Sequence, residues 1–187
     1  MIKRTILFLL ASLWLHAEEV QVQFSPSDAH IQYTLDSVLH TVKGTFRFKS
    51  GSIRFEPAGG QASGMLIADA ASGESGDHAR DNRMHKEIIQ STKYPEITFA
   101  PDSIDGRVNM NGDSTIQVHG TFGIHGGLHE MTIPAQVHIE NGAVNLTTSF
   151  KIPYIAWGMT NPSTLFLRVG NTVRIDMQAA GKLESAQ

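Results

Sequence analysis

The chain has 187 residues, with 15 basic and 18 acidic side chains, no cysteine and a formal net charge of −3. This length is sufficient for one domain with a sizeable core. The absence of cysteine excludes disulfides, cysteine–zinc sites, a thiol nucleophile and a lipid-modified cysteine. A mildly acidic chain without a basic stripe argues against nucleic acid as a partner.

The first 17 residues have the pattern of an export signal. Two basic residues precede the apolar run Ile6–Leu15, and Ala17 offers a cleavage point. The run is about ten residues long, whereas a membrane-spanning helix needs roughly 20. We therefore predict a signal peptide over residues 1–17 and a mature domain over residues 18–187. For that domain, with 13 basic and 18 acidic residues, we expect a net charge of −5, a periplasmic or secreted location and no integral membrane span; the alternative is an uncleaved N-terminal anchor.

Alternation of apolar and polar residues predicts β-strands in the first half of the mature chain. Apolar residues share one phase from Val42 to Phe48, Ser50-Gly51-Ser52 predicts a turn, and the pattern resumes at Ile53 and Phe55. Further short strands are indicated by apolar residues at Met65, Ile67, Ile97, Phe99, Val108 and Met110.

One segment, residues 77–90, lacks this alternation and is composed of good helix formers. Met84 and Ile88 are four residues apart and therefore share one helical face. Asp77 is suited to cap the N-terminus. The sequence predicts one helix of three turns between two strands.

The second half alternates more regularly than the first. Four segments have one apolar and one polar face, as strands of an antiparallel sheet do; they are Ile116–Ile124, Met131–Ile139, Val144–Ile152 and Val173–Ala179. The pairs Asp105-Gly106, Asn111-Gly112 and Asn141-Gly142 are hairpin signals. The pattern indicates an up-and-down meander of eight to ten strands, which forms either a closed barrel or a sandwich.

Candidate catalytic groups are sparse. His119, His125 and His129 are close in sequence, so a metal-dependent hydrolase is one alternative function. Their spacing matches no tight metal-ligand pattern, and the chain has no Gly-x-Ser-x-Gly nucleophile elbow. We therefore expect no enzymatic activity and no metal site.

The apolar faces of the predicted strands are rich in phenylalanine and methionine. A barrel of eight strands can be filled by its own side chains or can hold one ligand. Flexible methionine and flat phenylalanine side chains suit both arrangements. From these residues alone, a filled core and a ligand cavity are equally good predictions.

Three segments resemble the YceI-like family of lipid- and polyisoprenoid-binding periplasmic proteins: SGESGDHARDNRMHKEIIQSTKYPEITF, VHGTFGIHGGLHEMTIPAQV and FKIPYIAWGMTNPSTLFLRVGNTVRIDMQAAG. The shared features include Arg80-Asp81, Tyr94-Pro95, Phe99 and Trp157-Gly158-Met159. The sequence departs from the family pattern at Gly127-Leu128-His129, where many relatives have a Val-Thr-Lys-Pro-like run. The resemblance extends from about Val20 to Gly181.

The resemblance implies an all-β fold: an extended, eight-stranded antiparallel lipocalin-like barrel with one short helix near one end. It also implies a hydrophobic tunnel that binds a long isoprenoid or fatty chain without catalysis and without any cofactor besides that lipid. A polar head group would lie at one mouth, near Arg80, Arg83 or His85, and an Arg80–Asp81 pair would tie the helix to the barrel. A homodimer is compatible with the sequence. The alternative is a filled barrel acting as a structural or stress-related interaction module.

The candidate ligand-binding residues are the large apolar side chains of the predicted strands, the helix and the closing segment. They are Phe46, Phe48, Phe55, Met65, Ile67, Met84, Ile88, Phe99, Phe122, Phe150, Trp157 and Met159.

Overall fold

A computed structural model describes residues 19–164 and 168–185. The predicted signal peptide lies outside the described residues. The strands are β1 (Val20–Asp36), β2 (Thr41–Phe55), β3 (Gly60–Glu74), β4 (Glu96–Asp105), β5 (Gly112–Ile124), β6 (Gly127–Glu140), β7 (Ala143–Ile152) and β8 (Val173–Ser185). A helix, α1 (His78–Arg83), follows β3 and continues as a π-helical turn over Met84–Ile88.

Each strand pairs antiparallel with the next, and β8 pairs with β1, so the sheet closes into a barrel. This confirms the eight-stranded antiparallel barrel with one short helix and decides against a sandwich. Closure removes the unpaired edges through which an open sheet can associate with other chains.

Two connections are tight two-residue turns. Asn141-Gly142 joins β6 to β7 with φ angles of 50° and 79°, and His125-Gly126 joins β5 to β6 with φ angles of 54° and 75°. Two successive positive φ angles are typical of the type I′ turn, whose twist matches that of the strands. The Asn141-Gly142 hairpin is therefore confirmed, whereas Asp105-Gly106 and Asn111-Gly112 bracket a longer connection between β4 and β5.

The turn predicted at Ser50-Gly51-Ser52 is wrong, because β2 runs unbroken through these residues. The pairing with β3 instead shifts by one residue between Phe48 and Ser50. Because of this bulge, even-numbered residues such as Phe48 face inward before it, and odd-numbered residues such as Ile53 and Phe55 face inward after it. A bulge and a turn both interrupt the alternation at small residues, so the sequence pattern does not separate them.

A similar irregularity lies in β3. Gly64 has a φ of 126°, and the pairing of β3 with β4 gains one residue between Gln61 and Leu66. Ala62, Leu66 and Ala68 share the interior phase of this strand, and Met65 lies on the outer face with 42% of its surface exposed. The interior phase of β3 is therefore one residue away from the phase expected around Met65.

The helix begins where it was predicted. The Asp77 side chain accepts hydrogen bonds of 3.0 Å from the backbone N–H groups of Ala79 and Arg80. These bonds, that of Arg80 above all, lower the pKa of the Asp77 carboxyl. The last turn widens, since the Ile89 N–H donates to the Met84 carbonyl five residues back. Among the described residues, no helix has the length and apolar character needed to cross a bilayer.

The interior differs between the two ends of the barrel. The end that carries the β2–β3, β4–β5 and β6–β7 connections is called the closed end, and the other the open end. Near the closed end the interior is packed with side chains, including Phe24, Phe55 and Ile139, the last with no exposed surface. Near the open end the side chains leave a space between them, and the helix lies beside it.

Candidate ligand-binding site

A cavity of about 580 Å³ occupies the open half of the barrel. This volume lies within the ~300–1,000 Å³ range of small-molecule sites. The wall is formed by strand side chains, by the helix and by the segment after β7. The polar side chains that border it are Ser37, His40, Asp77, Arg80, Arg83 and Thr148, and the remainder are apolar.

The cavity opens at the open end of the barrel. Exposed residues at its edge, His40, Asp77 and Ala79, belong to the β1–β2 connection and to the helix. No residue of the closed-end connections borders it, and Val144 and Ile139 fill the interior below. The space is therefore a one-ended pocket and not a tunnel that runs through the barrel.

The structure brings most of the predicted ligand-binding residues together on the cavity wall. These are Phe46, Phe48, Ile67, Met84, Ile88, Phe99, Phe122, Phe150 and Met159. They come from five strands, the helix and the segment after β7, so only the closed barrel makes them neighbours.

Three predicted residues do not border the cavity. Phe55 is 5% exposed and belongs to the packed closed half. Met65 lies on the outer surface, in the opposite phase to the inward-facing Leu66. Trp157 packs behind Phe122, with ring centroids 5.8 Å apart, and so supports the wall from the outer side of that ring.

Several wall residues were not among the predicted set. Ile31, Tyr33 and Leu35 of β1 border the cavity, as do Ile133 and Ile175 on strands that the alternation identified. In β1 the apolar residues 31, 33 and 35 alternate with Gln32, Thr34 and Asp36, which is a clear strand signal. The predicted set was chosen mainly from phenylalanine and methionine residues, so it did not include these positions.

The polar groups beneath the helix are joined through Ser75. The Arg80 guanidinium donates to the Ser75 hydroxyl at 2.7 Å and to its carbonyl at 3.0 Å. Asp81 accepts from the Ser75 backbone N–H at 3.1 Å and from its hydroxyl. Arg80 and Asp81 therefore do not form the direct pair that was expected; both anchor the start of the helix to the end of β3.

The other two candidate head-group residues have different surroundings. Arg83 borders the cavity, pairs with Glu87 at 3.0 Å and donates to the Pro162 carbonyl at 3.1 Å. His85 faces away from the cavity, with its ring nitrogens bonded to the Gly73 carbonyl at 2.8 Å and to the Ser91 hydroxyl at 3.0 Å. Arg80 and Arg83 are thus the two cations on the cavity wall.

The three histidines of the hydrolase alternative occupy separate environments. His119 bonds to the Thr132 hydroxyl at 2.7 Å, His125 packs on the Tyr94 ring, and His129 stacks on Trp157. Within residues 19–164 and 168–185, no group of three histidine, aspartate or glutamate side chains is placed to hold a metal ion. The geometry gives the hydrolase alternative no support.

Between β6 and β7 the wall has a seam that lacks backbone hydrogen bonds. β6 and β7 pair from Glu140 opposite Ala143, at the closed end, to Ala135 opposite Thr148. Beyond this last pair, toward the open end, the two strands separate. Pro134 has no N–H to donate, and its carbonyl accepts a 2.6 Å bond from the Thr148 hydroxyl where the pairing stops. Above this point Trp157, from the segment after β7, stacks on His129 of β6 at 4.1 Å and 2°.

Two tyrosines support the open end. Tyr33 borders the cavity, and burial raises the pKa of its hydroxyl. Tyr154 also borders the cavity and donates to the Gly170 carbonyl at 2.8 Å, and burial likewise raises its pKa. Both phenols are neutral at physiological pH, so neither adds charge to the apolar wall.

Comparison with solved structures shows the same fold. Burkholderia cenocepacia BcnA matches with a TM-score of 0.71 and 18% identity, over 84% of this chain and 98% of its own. A polyisoprenoid-binding domain from Saccharophagus degradans, implicated in plant cell wall breakdown, matches at 0.64 and 16%, over 88% and 98%. The Campylobacter jejuni YCEI protein matches at 0.56 and 15%, over 97% and 99%.

Comparison of the sequence gives the family. No curated protein matches the chain significantly. The family model of the YceI-like domain matches residues 18–180, which is most of the chain. With the barrel, the helix and the quoted motifs in agreement, the chain belongs to the YceI-like family.

Proposed function

We propose that this protein is a non-catalytic carrier that holds a long-chain isoprenoid or another amphiphilic lipid in the barrel. The observation that carries the proposal is the one-ended apolar cavity of about 580 Å³ in the open half. A cavity with one opening suits a ligand with an apolar tail and a single polar end. The polyisoprenoid-binding domain from Saccharophagus degradans, which shares the fold, supports this choice of ligand class.

The apolar wall supplies the binding free energy. Burying about 400 Å² of ligand surface at ~25 cal/mol per Å² gives about 10 kcal/mol before costs. Loss of translational, rotational and chain freedom offsets a large part of this gain. With costs of about 4 kcal/mol, the lower end of their range, the net gain of about 6 kcal/mol corresponds to a Kd of tens of micromolar. Apolar contact discriminates weakly between tails of similar length, so the wall favours a class of lipid and not one compound.

The polar end of the ligand would lie at the mouth, near Arg80 and Arg83 on the helix. Each guanidinium has five N–H donors, and the bonds to Ser75, Glu87 and the Pro162 carbonyl use only some of them. A phosphate or carboxylate head group is the chemical class that these donors fit best.

The proposed setting is outside the cytoplasm. The pattern of residues 1–17 is that of a cleaved signal peptide, and a fold without cysteine needs no oxidising machinery to form. A periplasmic or secreted carrier would move or store a lipid that is poorly soluble in the aqueous space around it.

Native mass spectrometry followed by organic extraction tests the proposal directly. Protein purified without detergent should carry a lipid that is released on denaturation, and delipidated protein should bind a fluorescent long-chain lipid. If preparations from several hosts are empty and the delipidated protein binds no such probe, the proposal fails.

A matched pair of variants locates the binding site. Ala135 borders the cavity, and the neighbouring Gln136 lies on the outer face of the same strand. Ala135→Trp fills the cavity and should weaken lipid binding at least about tenfold, which corresponds to ~1.4 kcal/mol. Gln136→Trp adds the same ring outside and should leave binding unchanged. Equal binding by both variants would place the lipid elsewhere.

A further inference from the structure

We infer that the open end of the barrel docks on an anionic phospholipid membrane surface through apolar residues at two loop tips. These residues are Val38 and Leu39 in the β1–β2 connection and Leu128 at the start of β6. The inference rests on the proposed lipid-binding function for its choice of partner, because a carrier must exchange its lipid with a bilayer.

The first observation is where the exposed apolar side chains lie. The large hydrophobic side chains that are most exposed in the described part of the chain are Val38 at 67%, Leu39 at 74% and Leu128 at 76%. All three lie at the open end, around the mouth of the apolar cavity. Covering these three side chains removes apolar surface from water, which favours association with an apolar partner.

The second observation is the arrangement of these tips around the barrel. The β1–β2 and β5–β6 connections are four strands apart in either direction round an eight-stranded closed sheet. The two tips therefore stand on opposite sides of the mouth. A flat surface that touches both tips faces the opening directly, which is the geometry needed for a lipid to pass between bilayer and cavity.

The β1–β2 tip is held in place. The Val38 N–H donates to the Arg168 carbonyl at 3.1 Å, and Ser37 forms an isolated bridge with Val169. The Leu39 side chain is thus presented by a fixed backbone.

The third observation is charge. Near the closed end six acidic side chains accompany three basic ones, Arg54, Arg107 and Lys182; the acidic ones are Glu56, Asp102, Asp105, Asp113, Glu140 and Glu184. Exposed Lys43, Lys86, Lys93 and Arg168 lie in the open half, and none of them forms an ion pair with another described residue. An anionic bilayer therefore repels the closed end and accepts the open end. Charge sets the orientation, and apolar insertion supplies the affinity.

The natural absence of cysteine allows a position-specific test. Single variants Leu39→Cys, Leu128→Cys and Met65→Cys each take one environment-sensitive dye. Met65 is the matched control, since it is an exposed apolar residue on the outer wall of the barrel, opposite Ser52 and outside both loop tips. Vesicles of phosphatidylcholine and phosphatidylglycerol in equal parts are then added.

The dyes at positions 39 and 128 should shift to shorter emission wavelength and become protected from an aqueous quencher, and the dye at position 65 should do neither. No shift at 39 and 128, or an equal shift at 65, would overturn the inference.

Sedimentation with the same vesicles gives a second measurement that does not depend on a label. The triple variant Val38→Ser, Leu39→Ser, Leu128→Ser should lose at least about tenfold in partitioning, and Met65→Ser should lose none. Equal partitioning of the two variants would contradict the inference. Native mass spectrometry of the triple variant separates the two proposals. If the variant still carries lipid but no longer binds vesicles, the carrier function stands and the docking surface is located. If the wild type binds vesicles but never carries lipid, only the carrier function is contradicted.

Discussion

The division of the barrel into a packed closed half and a hollow open half predicts unequal costs for the same substitution on one strand. Ile139 and Ile133 both point inward from β6, but Ile139 is fully buried in the closed half and Ile133 borders the cavity. Ile139→Ala and Ile133→Ala remove the same three carbon atoms. At ~0.8 kcal/mol per carbon the loss of burial is at most about 2.4 kcal/mol for each.

The two variants differ in the new space that they create. At Ile139 the surrounding side chains are packed, so a residual void of about 60 Å³ adds about 1.5 kcal/mol at 24 cal/mol per Å³. At Ile133 the removed atoms already border a space, so little new void is enclosed. We expect losses of about 4 kcal/mol for Ile139→Ala and about 2 kcal/mol for Ile133→Ala. The difference corresponds to about 4–8 °C in Tm for a chain of this size.

Urea and thermal unfolding of delipidated protein, followed by circular dichroism, measure these losses. Lipid must be removed first, because a ligand that binds the folded state raises apparent stability. Equal losses for the two variants, or a larger loss for Ile133→Ala, would refute the idea that the open half is hollow. Adding lipid back should restore stability to the Ile139→Ala protein more than to the Ile133→Ala protein.

Three further predictions concern the wall and its supports. Trp157→Ala removes the ring that joins β6 to the segment after β7. It should lower the free energy of unfolding by about 3 kcal/mol and speed amide exchange in the part of β6 nearest the open end, but not near Ile139. Unchanged amide exchange would contradict this role of Trp157. Gly44→Ala should destabilise by about 1–3 kcal/mol, because its new Cβ would lie 2.4 Å from the Tyr33 ring and 2.2 Å from the Glu74 carbonyl; wild-type stability would show that the strands shift freely. Tyr154→Phe should cost about 1 kcal/mol at neutral pH through the lost bond to Gly170. Because the folded-state pKa of Tyr154 is raised above 10.0, the wild type loses stability as pH rises past 10 and the variant loses less; parallel pH curves would contradict this.

The sequence predicted the number and direction of the strands better than the details within them. Alternation in the second half placed β5 to β8, and Asn141-Gly142 placed one hairpin, because both signals depend on neighbouring residues alone. Asp77 marked the helix start for the same reason. The bulges at Lys49 and Gly64 were missed, because a bulge is defined by the pairing of two strands that are distant in sequence.

The candidate site was predictable in composition but not in extent. Large apolar residues at inward positions were found, and most of them border the cavity. Phe55 and Phe48 belong to the same strand and the same residue type, yet one is packed in the closed half and the other borders the cavity. Nothing local to either residue distinguishes them, because the difference depends on which side chains face them across the barrel.

The sequence by itself determined a meander of antiparallel strands with one apolar face each, one capped helix and no cysteine chemistry. Those properties follow from residue type and period, which are local. Only the tertiary structure decided that the barrel is filled at one end and hollow at the other, that Arg80 and Asp81 meet through Ser75, and that Leu39 and Leu128 stand across one mouth. These are relations between strands, and they exist only once the sheet has closed.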